Sequence, residues 1–279
     1  MEKFKITACA KINLSLSVIG KRDDGYHEID TVMQSIDLSD TVYIEKGSDI
    51  VTDCKDIKTD DNIAAKAARL FCEKTGADGC RIKIEKRIPQ AAGLGGGSAD
   101  AAAVLAGLNR LYKTGLCEDE LCVLAAKIGA DVPFLISGGT ARARGIGEKL
   151  TALRPLPNCY FILAKAEEKI STAKMFALLD NTDCVKPDID KTVNAIQSGD
   201  LNGVLKNLGN SFEILWQKSP LKGLLLSTDP IACSLSGSGP ARFAVYGDLN
   251  SAQRAQAALS KRGIFCKICK PCEKSVIFE

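Results

Sequence analysis

Apolar and polar residues alternate along the first part of the chain. The apolar residues that fall at every second position are Ile12, Leu14, Leu16 and Val18. The polar residues between them are Asn13, Ser15 and Ser17. This period of two predicts a half-buried strand with one polar face, and related patterns predict strands at 31–36, 41–45 and 81–86.

Apolar residues at helical spacing follow the segment 60–62, which is rich in residues that cap helix N-termini. Two further helices are predicted over 101–112 and 121–128, and Gly129 ends the second of them. The next segment, Ala130–Pro133, is predicted to be extended or a turn, because proline restricts the residue before it.

Strands and helices alternate again after the proline-containing segment 153–158. The predicted strands are 160–164, 232–235 and 242–246, and the predicted helices are 172–179, 191–207 and 250–262. Because both element types occur in both halves, we expect an α+β fold with two lobes. We place the domains at 1–157 and 158–279, with a ligand site expected between the lobes.

Four glycines, Gly93, Gly95, Gly96 and Gly97, lie between a predicted strand and a predicted helix. They let a ligand approach the main chain, and the helix start supplies unpaired N–H groups and a positive dipole end. We therefore expect an anion site, most naturally for phosphates, rather than glycines that serve only tight packing. No Gly-Lys-Ser/Thr of a Walker A loop follows, and Ser98 stands where a dinucleotide fingerprint needs glycine.

Charge and composition exclude some classes of protein. A net charge of +3 over 279 residues leaves no footprint of nucleic-acid binding. No apolar run approaches the length of a membrane span, and lysines interrupt the N-terminal segment that a secretory signal would need. We therefore expect the 12 cysteines to be reduced thiols in a cytosol. A metal cluster at Cys266, Cys269 and Cys272 is the weaker reading, because no fourth ligand is evident.

The glycine segment 89–102, PQAAGLGGGSADAA, resembles the signature loop of the GHMP kinases, a superfamily of small-molecule kinases. Similar motifs occur at 10–14 with 25–27, at 129–134 and at 234–240, so that the resemblance spans nearly the whole chain in order and spacing. It implies a two-lobed α+β fold. The N-terminal lobe would be like domain 2 of ribosomal protein S5, and the C-terminal lobe would be ferredoxin-like.

One branch of the superfamily is similar in more specific positions: the triple glycine, Lys11 with Asn13, and Tyr26 with His27. Its members phosphorylate the 2-hydroxyl of a cytidine diphosphate-linked methylerythritol in non-mevalonate isoprenoid biosynthesis. The resemblance implies ATP as the phosphoryl donor and Mg²⁺ held mainly by phosphates and water. It implies small-molecule partners, without nucleic acid or membrane.

The resemblance also implies roles for single residues, with Asp131 as the catalytic base and Lys11 as its partner. A cation there would stabilise the developing alkoxide charge. The residues implied to bind ATP are Pro89, Gln90, Ala91, Ala92, Gly93, Leu94, Gly95, Gly96, Gly97, Ser98, Ala99, Asn62 and Lys86. The residues implied to bind the acceptor are Asn13, Tyr26, His27, Thr172, Phe176, Gly237 and Gly239. Among these, the tyrosine would stack on cytosine and the histidine would form a hydrogen bond to it.

Plainer interpretations exist for several of these residues. From the residues alone, Asp131 is equally well a turn or capping aspartate, and Lys11 a solvated charge. Phe176 is equally well a core residue of its helix. Asn62 could be only a helix N-cap, and Lys86 only a surface charge.

The chain departs from the superfamily pattern at two places. Segment 164–169 lacks the proline or glycine that is usual there, and Ser211 stands where aspartate is common. Two other functions are alternatives to the branch described above. One is another kinase of the superfamily, such as homoserine kinase, and the other is a non-catalytic paralogue that binds ligand as a sensor.

Overall fold

The computed structural model describes residues 2–55, 57–60, 62–165 and 170–279. The strands of these ranges are β1 (Lys3–Lys21), β2 (His27–Lys46), β3 (Val51–Cys54), β4 (Cys80–Glu85), β5 (Thr140–Gly145), β6 (Lys149–Ala152), β7 (Tyr160–Lys165), β8 (Gly209–Asn210), β9 (Ala232–Leu235), β10 (Ala241–Tyr246), β11 (Cys266–Cys269) and β12 (Val276–Phe278). The α-helices are α1 (Ile63–Thr75), α2 (Gly96–Tyr112), α3 (Glu118–Ala126), α4 (Val132–Ser137), α5 (Thr172–Leu179), α6 (Ile189–Ser198), α7 (Leu201–Lys206), α8 (Leu221–Leu226) and α9 (Leu249–Lys261). A 3₁₀ helix covers Ser211–Trp216.

The larger sheet is built on two long antiparallel strands, β1 and β2. Its order is β12-β1-β2-β4-β3, with β5 also paired to β2, β6 to β5 and β8 to β1. The strands predicted at 31–36 and 41–45 are thus parts of a single strand, β2. Shifts of register between Cys9 and Ala10 and between Asn13 and Ser15 mark irregularities along the β1–β2 ladder, where such a strand can bend.

Helices α1 and α2 pack with this sheet in the largest apolar cluster of the described residues. Asn62 caps α1 as predicted, since its side-chain oxygen accepts a hydrogen bond from the Ala64 amide at 2.9 Å. Gly107 lets α2 approach the sheet closely, because a Cβ there would lie 2.5 Å from Ile44 Cδ1 and 2.6 Å from Ile6 Cδ1. This packing fixes the direction in which the start of α2 points.

The prediction that β1 is only half-buried is wrong. Its polar residues Asn13, Ser15 and Ser17 are at most 2% exposed, because the C-terminal half of the chain covers them. Strand β8 pairs with β1 through Ser15, and the Val18 amide donates to Ser211 Oγ at 3.1 Å. A polar face that looks solvated in the sequence is therefore an internal surface between two parts of the molecule.

The smaller sheet has the order β11-β7-β10-β9, and all of its pairs are antiparallel. Its strands agree with those predicted at 160–164, 232–235 and 242–246. Together, the two sheets and their helices confirm the predicted α+β class. Strands β8 and β12 come from the C-terminal half but pair with β1, and the division into domains at 157 and 158 stays a prediction.

Two predicted elements are wrong in detail. Segment 191–207 is two helices, α6 and α7, because Gly199 takes a left-handed conformation with φ +73°. Segment Ala130–Pro133, predicted to be extended or a turn, is a turn only at Ala130 and Asp131: Asp131 is αR, with φ −81° and ψ −15°, and α4 begins at Val132. Proline is tolerated in the first turn of a helix, where its missing N–H breaks no hydrogen bond.

The two departures from the superfamily pattern have different outcomes. Residues 166–169 of the first departure lie outside the described residues. Ser211 of the second departure is 1% exposed, and its hydroxyl also donates to the Val185 carbonyl at 3.0 Å. The hydroxyl of Ser211 thus links β1 to the segment that precedes α6.

Candidate active site

The glycine segment leads from β4 into α2 and lines a cavity of about 360 Å³. The helix begins inside the glycine run, with Gly95 at the N-cap in a left-handed conformation, φ +69°. The residues of the segment that line the cavity are Pro89, Gln90, Ala91, Ala92, Gly93, Leu94, Gly95, Gly96, Gly97 and Ser98. Ala99 is 1% exposed in the core and is not part of the lining. The first turn of α2 therefore borders a cavity, as an anion site requires.

Gly93 has a packing function as well. It has φ +77°, and a Cβ there would lie 2.3 Å from the Ser236 carbonyl oxygen. The Ser236 hydroxyl also donates to the Gly93 carbonyl at 3.0 Å. Gly93 thus serves tight packing while it also lines the cavity.

Lys86 is not a surface charge, because its side chain is 12% exposed and lies between two carboxylates. Its Nζ is 2.5 Å from Asp40 Oδ2 and 2.6 Å from Asp100 Oδ2. Asp40 also accepts hydrogen bonds from the amides of Arg87 and Ile88 at 2.5 and 2.8 Å. This buried group ties the end of β4 to β2 and α2, directly beneath the glycine loop.

The charges of this group change the pKa values of its members. Burial is the largest cause of the shift at Asp100 and raises its pKa to about 7, with Lys86 acting against it. Burial lowers the pKa of Lys86, but the two carboxylates raise it by more, so that it lies above its ordinary value. Lys86 and Asp100 line the same cavity as the glycine loop.

Asn62 also lines this cavity while it caps α1. Its side-chain oxygen is used by the cap, whereas its Nδ2 is buried and has no hydrogen-bond partner among the described residues. The N-cap interpretation of Asn62 is therefore confirmed, and the same residue also borders the cavity.

A second cavity, of about 570 Å³, lies on the other side of Asp131. Its floor is the polar face of β1, where Lys11 is 3% exposed. Lys11 Nζ donates to Asn13 Oδ1 at 2.8 Å, and Asn13 Nδ2 donates to Thr31 Oγ1 at 2.9 Å. These bonds hold the ammonium of Lys11 in one position, so Lys11 is not a solvated charge.

Asp131 forms an ion pair with this ammonium. Lys11 Nζ is 3.2 Å from Asp131 Oδ2, and the Asp131 side chain is 31% exposed. Asp131, Gly93, Ser98 and Thr172 line both cavities. The two cavities thus meet at a carboxylate that is paired on one side with a fixed cation and open on the other.

The far end of the larger cavity is aromatic. The rings of His27 and Phe176 are stacked, with centroids 4.5 Å apart and an angle of 22°, and Phe176 packs edge-on against Phe212. Tyr26 is 61% exposed at the cavity mouth. His27 Nε2 lies 2.6 Å from Asp180 Oδ1. Phe176 therefore borders both the cavity and an apolar cluster, which unites its two interpretations.

The remaining residues predicted to bind the phosphoryl acceptor lie at the start of α5 and in the segment after β9. Thr172 is at the start of α5, and its hydroxyl accepts a hydrogen bond from Ser238 Oγ at 3.3 Å. Gly237 lines the larger cavity. Gly239 lines neither cavity and faces Trp216, since a Cβ there would be 2.6 Å from the indole nitrogen.

Comparison with known proteins agrees with this geometry. The family model for the GHMP kinases N terminal domain matches residues 62–139. The 4-diphosphocytidyl-2-C-methyl-D-erythritol kinase of Alkaliphilus metalliredigens is 42% identical, over 93% of this chain and 94% of its own. That of Listeria monocytogenes serotype 4a is also 42% identical, over 95% and 94%. The chain belongs to the 4-diphosphocytidyl-2-C-methyl-D-erythritol kinase family.

Solved structures place the fold in the same family. A crystal structure of 4-(cytidine 5'-diphospho)-2C-methyl-D-erythritol kinase matches with a TM-score of 0.78 and 32% identity, covering 95% of this chain and 98% of that one. Homoserine kinase from Cytophaga hutchinsonii matches with a TM-score of 0.79, over 100% and 98% of the two chains, but at 18% identity. This second likeness shows the shared GHMP kinase fold alone.

Sequence reasoning missed Asp40, Asp100 and Asp180, all of which contact predicted site residues. The sequence did carry a signal for the burial of Asp100. This residue interrupts the alanine-rich run 99–103 of α2, and all of the alanines in that run are buried. A charged residue in such a run is rarely buried without a partner. Asp40 and Asp180 carried no comparable signal, since their partners are distant in the sequence.

The three cysteines of the C-terminal run lie in different surroundings. Cys266 Sγ contacts the Gln256 carbonyl, Cys269 belongs to the largest apolar cluster of the described residues, and Cys272 donates to the Lys274 carbonyl. Within the described part of the chain, no group of three or more His, Cys, Asp or Glu residues is placed to hold a metal ion. In the same part, no helix is both long and apolar enough to cross a membrane.

Proposed function

We propose that the protein transfers the γ-phosphoryl group of ATP to the 2-hydroxyl of 4-diphosphocytidyl-2-C-methyl-D-erythritol. The observation that carries the proposal is the meeting of two cavities at Asp131, one bordered by the glycine loop and the other ending in aromatic residues. A kinase needs such an arrangement, because donor phosphate and acceptor hydroxyl must come together at one point.

The chemistry follows from the two charged residues at the junction. Asp131 accepts the proton of the acceptor hydroxyl, whose oxygen then forms a bond to the γ-phosphorus as the bond to the leaving ADP oxygen breaks. Lys11 supports this step, because its ammonium lies 3.2 Å from the carboxylate and stabilises negative charge on the reacting oxygen. The amides at the start of α2 hold the phosphates.

Magnesium fits this site as an ion held mainly by the nucleotide. Mg²⁺ keeps several waters and takes one or two protein oxygens beside phosphates. Ser98, which lines both cavities and carries a hydroxyl, would supply such an oxygen. The ion would neutralise charge on the triphosphate.

The aromatic end of the larger cavity accommodates the cytidine head group. Tyr26 and Phe176 offer ring faces for a base, and His27 offers a ring nitrogen for its edge. Small molecules are thus the proposed partners, and a cytosolic location with reduced thiols belongs to the same proposal.

A coupled assay of ADP release tests the proposal, with ATP, magnesium and a panel of alcohols. We expect turnover with the cytidylated methylerythritol and not with homoserine or mevalonate. Turnover with homoserine or mevalonate would assign the chain to another kinase activity of the superfamily. Binding of the cytidylated compound without ADP release would indicate a ligand sensor and contradict the proposal.

A further inference from the structure

The imidazole of His27 is held by two side chains, Asp180 and Phe176, and Lys21 holds the first of these in place. Its Nε2 lies 2.6 Å from Asp180 Oδ1, and the second oxygen of that carboxylate lies 3.0 Å from Lys21 Nζ. Phe176 stacks on the ring at 4.5 Å. The ring is therefore fixed in position and in orientation.

Asp180 does not serve the helix on which it lies. It is the C-cap residue of α5, where the helix dipole disfavours a negative charge. Its side chain is 24% exposed, so it is not needed to fill the core. Its two side-chain partners are His27 and Lys21, both of which line the larger cavity.

The protonation of the ring follows from the chemistry of a carboxylate. The hydrogen bond to His27, together with Lys21, lowers the pKa of Asp180, so that the group is ionised at neutral pH and only accepts hydrogen bonds. Nε2 must then carry the hydrogen. In the neutral ring this leaves a lone pair on Nδ1, which has no hydrogen-bond partner among the described residues.

We propose that Asp180 is a specificity-determining positioning residue, which holds His27 in the Nε2–H tautomer so that Nδ1 accepts a hydrogen bond from the 4-amino group of cytosine. This inference rests on the proposed function, because it assumes that the aromatic end of the cavity binds the nucleobase. Uracil has an oxygen in place of the amine, and that oxygen would face the lone pair of Nδ1. The site would therefore select a cytidine over a uridine head group.

The tautomer is directly measurable, because His27 is the only histidine of the chain. In ¹⁵N-labelled protein at neutral pH, long-range ¹H–¹⁵N spectra distinguish a protonated ring nitrogen from one with a lone pair. We expect the Nε2–H tautomer in the wild type and a mixture of tautomers in Asp180→Ala. Asp183→Ala is the matched control, since this exposed carboxylate lies three residues further along and has no hydrogen bond to the ring.

Kinetics give the second test, with the cytidylated acceptor and its uridylated analogue. In the wild type we expect kcat/KM to favour the cytidylated compound. In Asp180→Ala we expect this preference to fall by about 10- to 100-fold, which is the effect of losing one hydrogen bond and leaving a polar group unpaired. Asp183→Ala should keep the wild-type preference. A role of Asp180 in folding alone would lower both rates together and leave the preference unchanged.

The outcomes separate this inference from the proposed function. Absence of turnover with the cytidylated acceptor in the wild type would overturn the proposed function, whatever the tautomer. Turnover in the wild type, together with an unchanged preference or an unchanged tautomer in Asp180→Ala, would overturn the inference alone. A doubly protonated or Nδ1–H ring in the wild type would also overturn it.

Discussion

Lys11 and Asp131 form an ion pair between the middle of β1 and the start of α4, with 3.2 Å between Lys11 Nζ and Asp131 Oδ2. The two partners differ in exposure, since the lysine side chain is 4% and the aspartate side chain 31% exposed. Burial of a lysine requires a partner, and the open side of the carboxylate faces the junction of the two cavities. The pair therefore fixes the carboxylate of Asp131 at the junction of the two cavities, with the buried cation on its other side.

Asp131→Asn should lower kcat by a factor of about 10²–10⁴, because an amide cannot accept the proton of the hydroxyl. ATP binding should change little, since the glycine loop is untouched. Steady-state assays and nucleotide titration measure the two quantities. Asp53→Asn, an exposed aspartate on β3, should leave both as in the wild type. A kcat of Asp131→Asn within a few-fold of wild type would remove Asp131 from the role of base.

The fold class was predictable because it depends on local patterns, whereas the pairing of Lys11 with Asp131 was implied only by the resemblance to the GHMP kinases. Alternation predicted β1, and glycine-rich turns predicted the loop before α2. The burial of Asn13, Ser15 and Ser17 was missed, because it depends on β8, which is distant in the sequence. The start of α4 at Val132 was missed, because proline usually disfavours the helical conformation of the residue before it. Here Pro133 lies in the first turn of the helix, where its missing N–H breaks no hydrogen bond.

Gly93→Ala should destabilise the protein by about 1–3 kcal/mol and raise KM for ATP. The new methyl would lie 2.3 Å from the Ser236 carbonyl oxygen, at a residue with φ +77°. The glycine loop and the segment after β9 would therefore have to separate. Chemical denaturation and ATP kinetics measure the effect. Gly223→Ala in α8 is the control, because its Cβ meets nothing within 4 Å, and we expect no loss of stability there. Equal stability of the two variants would contradict the close packing of Gly93.

Glu213→Gln should lower the free energy of unfolding by about 3 kcal/mol, because it leaves the charge of Arg242 buried without a counter-ion. Arg242 is 1% exposed, and its Nη1 lies 3.0 and 2.9 Å from the two oxygens of Glu213. Lys222→Met removes the exposed partner of the same carboxylate and should cost at most about 1 kcal/mol. Urea denaturation of the two variants checks the difference. Similar losses in both would show that the Arg242 pair adds no more than a surface ion pair.

Asp100 makes the stability of the protein depend on pH near neutrality. Its pKa is raised from 3.8 to about 7 in the folded chain, chiefly by burial, and two carboxylates share the single ammonium of Lys86. A raised pKa means that the folded state binds the proton more tightly than the unfolded state. The stability linked to this group is therefore fully present below about pH 4 and is lost as the pH rises through about 7.

Asp100→Asn removes this titration, because the amide stays neutral and Lys86 keeps Asp40 as its counter-ion. Between about pH 5.5 and about pH 8.5 we expect the wild type to lose about 1–2 kcal/mol relative to the variant. The free energy of unfolding of both proteins, measured by denaturant at a series of pH values, gives the difference directly. Asp53→Asn again serves as the control and should follow the wild type at every pH. A constant difference between the wild type and Asp100→Asn across this range would mean that Asp100 is already ionised beside Lys86 at the lower pH.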